Sequence, residues 1–136
     1  MEAIDSVAVD ADILVDYLRG RQPGLDLYVK WRKRKPLALT SIVAFELLLG
    51  AKLSLRHDQR IAEVRSLIDQ HQILPFDDRA ADLASSLAAE LRRKGSPVEI
   101  RDLLNASICL AAGLPLLTRN KAHYERISSL KLLSEQ

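Results

Sequence analysis

The sequence predicts an α/β fold in which a mostly parallel sheet is covered by helices on both faces. Two observations carry that expectation. Short apolar runs of strand length, such as "VAV", "LALT" and "LPLL", alternate with segments of helical period along almost the whole chain, the order that β-α-β units leave in a sequence. The chain has 136 residues, one domain's worth, with no repeat, low-complexity tract or long linker to divide it, so residues 1–136 are expected to form one core without disulfides or structural metal.

Each element has its own signal. Ile4 to Val9 is the first strand candidate, and helical spacing runs from Ile13 to Arg19 before Gly20 ends it. "GLDLYVKWRKRK" places Leu25, Tyr28 and Val29 on one helical face, and Pro36 stops it. "LALTS" reads as the second strand. Helical spacing resumes from Ile42 to Leu55, and the next amphipathic segment carries Ile61, Val64, Leu67 and Ile68 on one side. "QILPF" is the third strand, after which Asp77 or Asp78 caps a long helix striped by Ala80, Leu83, Ala84, Leu87 and Leu91 and closed by Gly95. "SPVEIRDLLNASICLAA" is a further helix ended by Gly113. "LPLLT" is the fourth strand, "KAHYERI" a short helix and "LKLLS" a fifth strand.

Composition excludes several classes. Hydrophobic residues make up 48% and charged residues 28% of the chain, and no apolar stretch approaches the ~18 residues of a membrane span. Glu2 and Asp5 stand where a signal peptide needs basic residues, so a cytoplasmic location is expected. The one cysteine, Cys109, falls in a helical apolar pattern and reads as a buried thiol. A net charge of +2 is too small to diagnose nucleic-acid binding.

In a parallel sheet, strand C-termini and helix N-termini gather along one edge, where ligands bind. That topology brings together Asp10 at the end of strand one, Asp12 opening the next helix, Glu46 early in the helix after strand two, and Asp102 in a first helical turn. Thr118, Arg119 and Asn120 leave strand four at the same edge. Converging carboxylates repel one another and lose hydration unless a cation or proton compensates them. Oxygen ligands without cysteine suit Mg²⁺ or Mn²⁺, and metal-assisted phosphodiester hydrolysis follows from that chemistry. Taken singly, Asp12 is equally a helix cap, Asp102 a first-turn acid favoured by the helix dipole, and Glu46 a solvated residue. Asp10 resists that plainer account because it interrupts an apolar strand, and Glu46 resists it because apolar neighbours flank it.

The blocks "AVDADILVDYLRG", "TSIVAFELLLGA" and "VEIRDLLNASICLAAGLPLLTRNKAHYERI" resemble the three motif regions of the PIN domain, in particular of VapC-type toxins of prokaryotic toxin-antitoxin pairs. The resemblance runs from strand one almost to the C-terminus, with a variable middle. It implies a PIN-like three-layer α/β/α sandwich with a five-stranded parallel sheet, Mg²⁺- or Mn²⁺-dependent endoribonuclease activity, homodimerisation and inhibition by a VapB-like antitoxin. Asp10, Glu46 and Asp102 match the family's three acids, and Thr118 and Asn120 its "T-x-N" element. Two positions depart from the pattern. Asp12 stands where the family usually has a small polar residue, as an added ligand or a cap. Asn120 and His123 occupy the region of a frequent fourth carboxylate, which favours one metal over a full pair. His123 is a candidate ligand for Mn²⁺ or a phosphate contact, and equally a partly exposed helix histidine. Glu99, three residues before Asp102 and so on the same helical face, is a candidate outer ligand.

Arg119 and Lys121 flank Asn120 and are the better candidates for holding RNA. The cations around Trp31, Lys30 to Lys35, are explained by a helix C-terminus whose charges complement the dipole. His57 and His71 lie without ligand-like partners. Leu47, Leu48, Leu49, Leu53 and Leu55 exceed one helix stripe and mark a dimer or antitoxin contact. Two rival readings remain: a HAD-type phosphatase with Asp10 as nucleophile, whose usual Gly-Thr after the second Asp is absent, and a degenerate PIN domain that binds RNA or protein without cutting.

Overall fold

The computed structural model describes residues 5–134; Ile4, assigned to the first strand by its hydropathy, lies outside them. The elements in chain order are β1 (Val7–Val9), α1 (Ala11–Arg19), α2 (Gly24–Arg34), β2 (Leu37–Thr40), α3 (Ser41–Leu53), α4 (His57–Asp69), β3 (Gln72–Leu74), α5 (Asp78–Arg93), α6 (Ile100–Ala112), β4 (Leu116–Leu117) and β5 (Leu132–Leu133). The strands pair in the order β3-β2-β1-β4-β5, every pair parallel. The expected mostly parallel five-stranded sheet is therefore present, with β1 at its centre.

Strand alternation builds the three layers. Val7, Val9, Leu37, Leu39 and Leu117 pack with Ile13, Leu14, Tyr28, Val43, Leu47 and Val64, so one face of the sheet is covered by α1–α4. Their neighbours Ala8 and Leu116 point the other way, into Leu91, Leu103, Ala106 and Cys109, and Ala38 meets Ala80 and Ile108. The second face is thus covered by α5 and α6. Both faces are apolar, which is why these strands read as unbroken hydrophobic runs. Each fully buried Leu or Ile contributes about 1.5–3 kcal/mol relative to exposure, and Ile13, Leu14, Leu39, Ile108, Leu116 and Leu117 are all within 2% of complete burial.

The helix ends follow their sequence signals. Gly20 ends α1 at φ 65°, a left-handed conformation that favours glycine, and its N–H donates to the carbonyls of Asp16 and Tyr17. Asp77, not Asp78, caps α5 by accepting from the N–H of Ala80. Gly24 fits against α1 so closely that an added Cβ would stand 2.4 Å from the Asp16 Cβ.

Three expectations need correction. "KAHYERI" is not a helix: only Lys121–His123 forms a 3₁₀ turn. Tyr124, Ile127 and Leu130 each donate an N–H three residues back, to Lys121, Tyr124 and Ile127 respectively. Their spacing of three reflects successive tight turns that bury all three side chains. The helix begun by Ser96 in the sequence reading starts only at Ile100, with Glu99 extended at its N-cap position, so Glu99 does not share a helical face with Asp102. Asp10, rather than Asp12, is the N-cap of α1, accepting from the N–H of Ala11.

The leucine-rich α3 divides as its excess of apolar residues suggested. Leu47 faces the core, whereas Phe45, Leu49 and Leu53 leave the surface on one stripe, followed by a fully exposed Leu55.

Candidate active site

The C-terminal ends of β1, β2 and β4 and the N-terminal halves of α1, α3 and α6 meet at one edge of the sheet, which brings Asp10, Asp12, Glu46 and Asp102 within electrostatic reach of one another. Asp10 sits one residue past β1, where its backbone N–H still donates to the Leu117 carbonyl at 2.9 Å. Ladder and helix cap thus fix its backbone from both sides. Its side chain is 7% exposed and fully engaged: Oδ1 accepts from the Ala11 N–H at 2.9 Å, and Oδ2 accepts from the Thr118 hydroxyl at 2.8 Å and the Tyr124 hydroxyl at 3.1 Å.

A chain of neutral polar groups lies behind Oδ2. Tyr124 accepts from the Asn105 amide at 3.1 Å, and the Asn105 carbonyl oxygen accepts from the Thr40 hydroxyl. Thr40 in turn caps α3 by accepting from the Val43 N–H. Thr40, Asn105, Thr118 and Tyr124 are each at most 2% exposed, and every donor finds an acceptor, the condition under which a buried network orders a structure. Burial, the nearby Asp10 charge and the hydrogen bond donated to it push the Tyr124 phenol far above its ordinary range.

Thr118, expected to touch substrate, is fully buried and spends its hydroxyl on Asp10, so it positions the acid. The Asn120 N–H donates to Thr118 Oγ1 at 3.0 Å, leaving its side chain at the exposed rim with Lys121. The backbone N–H of Arg119 donates to Asp12 Oδ2 at 3.0 Å, and its guanidinium pairs with Asp16 at 3.1 Å. Both contacts tie the loop after β4 to α1.

Glu46 and Asp102 each face a basic side chain. Glu46 pairs with Arg101, whose second nitrogen lies 3.6 Å from Glu99. Asp102 stands 3.4 Å from His123 Nδ1. Among the described residues, no three His, Cys, Asp or Glu side chains are drawn close enough to enclose a metal ion. The charges nonetheless press on one another. Burial and the Asp10 charge push the Asp12 carboxyl up to about 6. Glu46 and Asp102 are raised first by burial and then by the surrounding acids, with Arg101 and His123 partly offsetting the effect. An edge of oxygen donors whose negative charge is only partly compensated fits a hard divalent cation.

Sequence reasoning missed Thr40, Asn105, Tyr124 and Arg101. A signal existed for Asn105, a polar residue three positions after Asp102 and set between apolar Leu104 and Ala106. Cys109 is buried as expected, its thiol pushed up to about 12 by desolvation. His71 is structural: it bridges the Tyr28 hydroxyl at 2.9 Å and the Leu67 carbonyl at 2.7 Å.

A family model described as PIN domain matches residues 7–129. The chain is 33% identical over 96 residues to the tRNA(fMet)-specific endonuclease VapC of Salmonella typhimurium, a match covering 71% of this chain and 73% of that protein. It is 29% identical over 125 residues to ribonuclease VapC10 of Mycobacterium tuberculosis, covering 92% and 90%. Among solved structures it is similar to a chain of VapBC2 from Rickettsia felis bound to a DNA fragment from their promoter, with a TM-score of 0.84, 25% identity and coverage of 95% and 98%.

Proposed function

The chain belongs to the PIN domain family, and from that premise we propose that it is a divalent-metal-dependent endoribonuclease acting as the toxin of a VapBC-type toxin-antitoxin pair. The observation that carries this reading is Asp10, buried at the centre of the acid edge with one oxygen fixed by two hydroxyls and Asp12, Glu46 and Asp102 around it. Relatives named as ribonucleases support RNA hydrolysis over aspartyl-phosphate chemistry at Asp10.

Asp10, Glu46 and Asp102 would hold Mg²⁺ or Mn²⁺, with Asp12 beside them and His123 and Glu99 at the periphery. The ion supplies Lewis-acid polarisation of the scissile phosphate and a water of lowered pKa. The protein's own part is positional. Thr118 and Tyr124 occupy Oδ2 of Asp10, so Oδ1, which accepts one N–H from Ala11, would be the oxygen with room for a cation. The tie between Arg119 and Asp12 holds the loop after β4 against the acids, placing the exposed Asn120 and Lys121 where RNA phosphates would pass.

A protein partner is supported by an open cleft between α1, α3 and α4, lined by Val15, Leu18, Leu47, Ala51 and Val64 and reaching Glu46. A VapB-like antitoxin segment there would cover apolar surface and reach the acid edge at once. The exposed stripe of Phe45, Leu49 and Leu53 supports a homodimer contact. No helix among the described residues is long and apolar enough to cross a membrane, in keeping with action on cytoplasmic RNA.

Incubating the purified protein with RNA and Mg²⁺ or Mn²⁺ tests the reading. Cleavage by the parent, lost in Asp10→Asn, is expected. No cleavage by the antitoxin-free parent would instead leave a domain that binds RNA or protein without cutting.

A further inference from the structure

Asp10 and Glu46 are prepared for a cation in opposite ways. The partners of Asp10 Oδ2 are neutral hydroxyls, which orient the carboxylate without neutralising it. Glu46 carries a full positive charge on it already, from Arg101 Nη1, while Arg101 Nη2 lies 3.6 Å from Glu99. Arg101 is the second residue of α6, where the helix dipole disfavours a cation, so its position depends on these two acids. The planar fork lets one guanidinium address two carboxylates from different segments, which a lysine point charge does poorly. The Glu46 side chain is 23% exposed and that of Arg101 48%, so the pair lies at the mouth of the acid edge, where the guanidinium can swing into solvent.

We infer that Arg101 is the resident counter-charge of Glu46, which a divalent cation must displace, so that this arginine sets how tightly the acid edge binds metal. The inference rests on the metal-site reading above and deepens it. A dication that takes Glu46 Oε2 competes with the guanidinium for it, because the two cations repel at that distance. Loss of the Arg101–Glu46 pair is therefore subtracted from the metal's binding free energy. Glu46 is engaged only when metal is abundant enough to win the exchange.

Calorimetric titration of Mn²⁺ into the protein without RNA tests this directly. Arg101→Gln is expected to tighten Mn²⁺ binding about tenfold, the scale of one charge-assisted pair, and Arg101→Lys to tighten it by less. In a Glu46→Gln background, adding Arg101→Gln should give a much smaller gain, because Arg101 then acts only through Asp102 and Glu99. Equal or weaker binding by Arg101→Gln overturns the inference, as does the same tenfold gain in the Glu46→Gln background, which would indicate a general change in local charge. Absence of Mn²⁺ binding by both the parent and Arg101→Gln overturns the inference together with the metal reading, whereas metal-dependent RNA cleavage with equal affinities overturns the inference alone. Because Arg101 is half-exposed, these variants keep the core, and a melting curve without metal verifies it.

Discussion

The Tyr124 hydroxyl donates to Asp10 Oδ2 at 3.1 Å across 114 residues of sequence, and the same hydroxyl accepts from the Asn105 amide. Replacing Tyr124 by Phe keeps the packed ring but removes both bonds and strands a buried amide donor. A loss of about 1–3 kcal/mol of stability is expected, measurable by urea denaturation. Cleavage should fall on the order of 10–100-fold, as for other residues that orient a metal ligand.

Asp10→Asn is expected to leave a folded protein whose RNA cleavage drops about a thousandfold or more, since on the proposed function it removes a charged ligand from the reacting centre. Circular dichroism and a gel-based cleavage assay on the same preparation separate folding from chemistry.

Asp12 is raised to about 6, chiefly by burial and then by Asp10. A carboxyl raised in the folded state favours folding most below its unfolded value of about 4, and that contribution is lost as pH rises through 6. Glu46 and Asp102 act in the same direction. A bound cation compensates the ionised forms, so the rise in melting temperature on adding Mn²⁺ should be larger at pH 7.5 than at pH 5. An equal rise at both values would speak against these acids as ligands.

His71 shows the opposite dependence. Its Nδ1 faces a carbonyl and so carries the proton, leaving Nε2 to accept from Tyr28. Burial, the largest cause, lowers its pKa below the ordinary value near 6.5. Below pH 6.5 the unfolded chain takes up a proton that the folded chain resists, so stability falls as pH drops through that range. Relative to a His71→Gln variant, the parent should lose stability between pH 6.5 and 5 in chemical denaturation.

Leu53 is 77% exposed. Leu53→Glu should change stability by no more than about 0.5 kcal/mol, yet reduce self-association measured by light scattering. A parent that is already monomeric would remove α3 as a dimer contact.

The sheet and the acids were legible because each leaves a local mark. Strands buried on both faces give unbroken apolar runs, and a charge set among apolar residues, as Asp10 is at the end of β1 and Glu46 is within α3, is costly unless it is used. The groups that orient Asp10 leave no comparable mark. Thr40, Asn105 and Tyr124 are uncharged, and their mutual spacings are set by how the sheet brings distant segments together. Arg101 escaped notice because a basic residue beside acids at a helix start reads as solvated. Tyr124, Ile127 and Leu130 misled in another way: a spacing of three suits a helix face and a run of tight turns alike, and only the backbone bonds distinguish them.

The order of synthesis gives the donors on Asp10 Oδ2 a further meaning. Asp10 leaves the ribosome 108 residues ahead of Thr118 and 114 ahead of Tyr124. A nascent or truncated chain ending before Thr118 lacks both hydroxyls and the β4 strand that flanks β1. The Asp10 carboxylate thus gains both hydroxyls only once the segment through Tyr124 has been made, which ties the setting of that acid to the stretch from β4 to Tyr124.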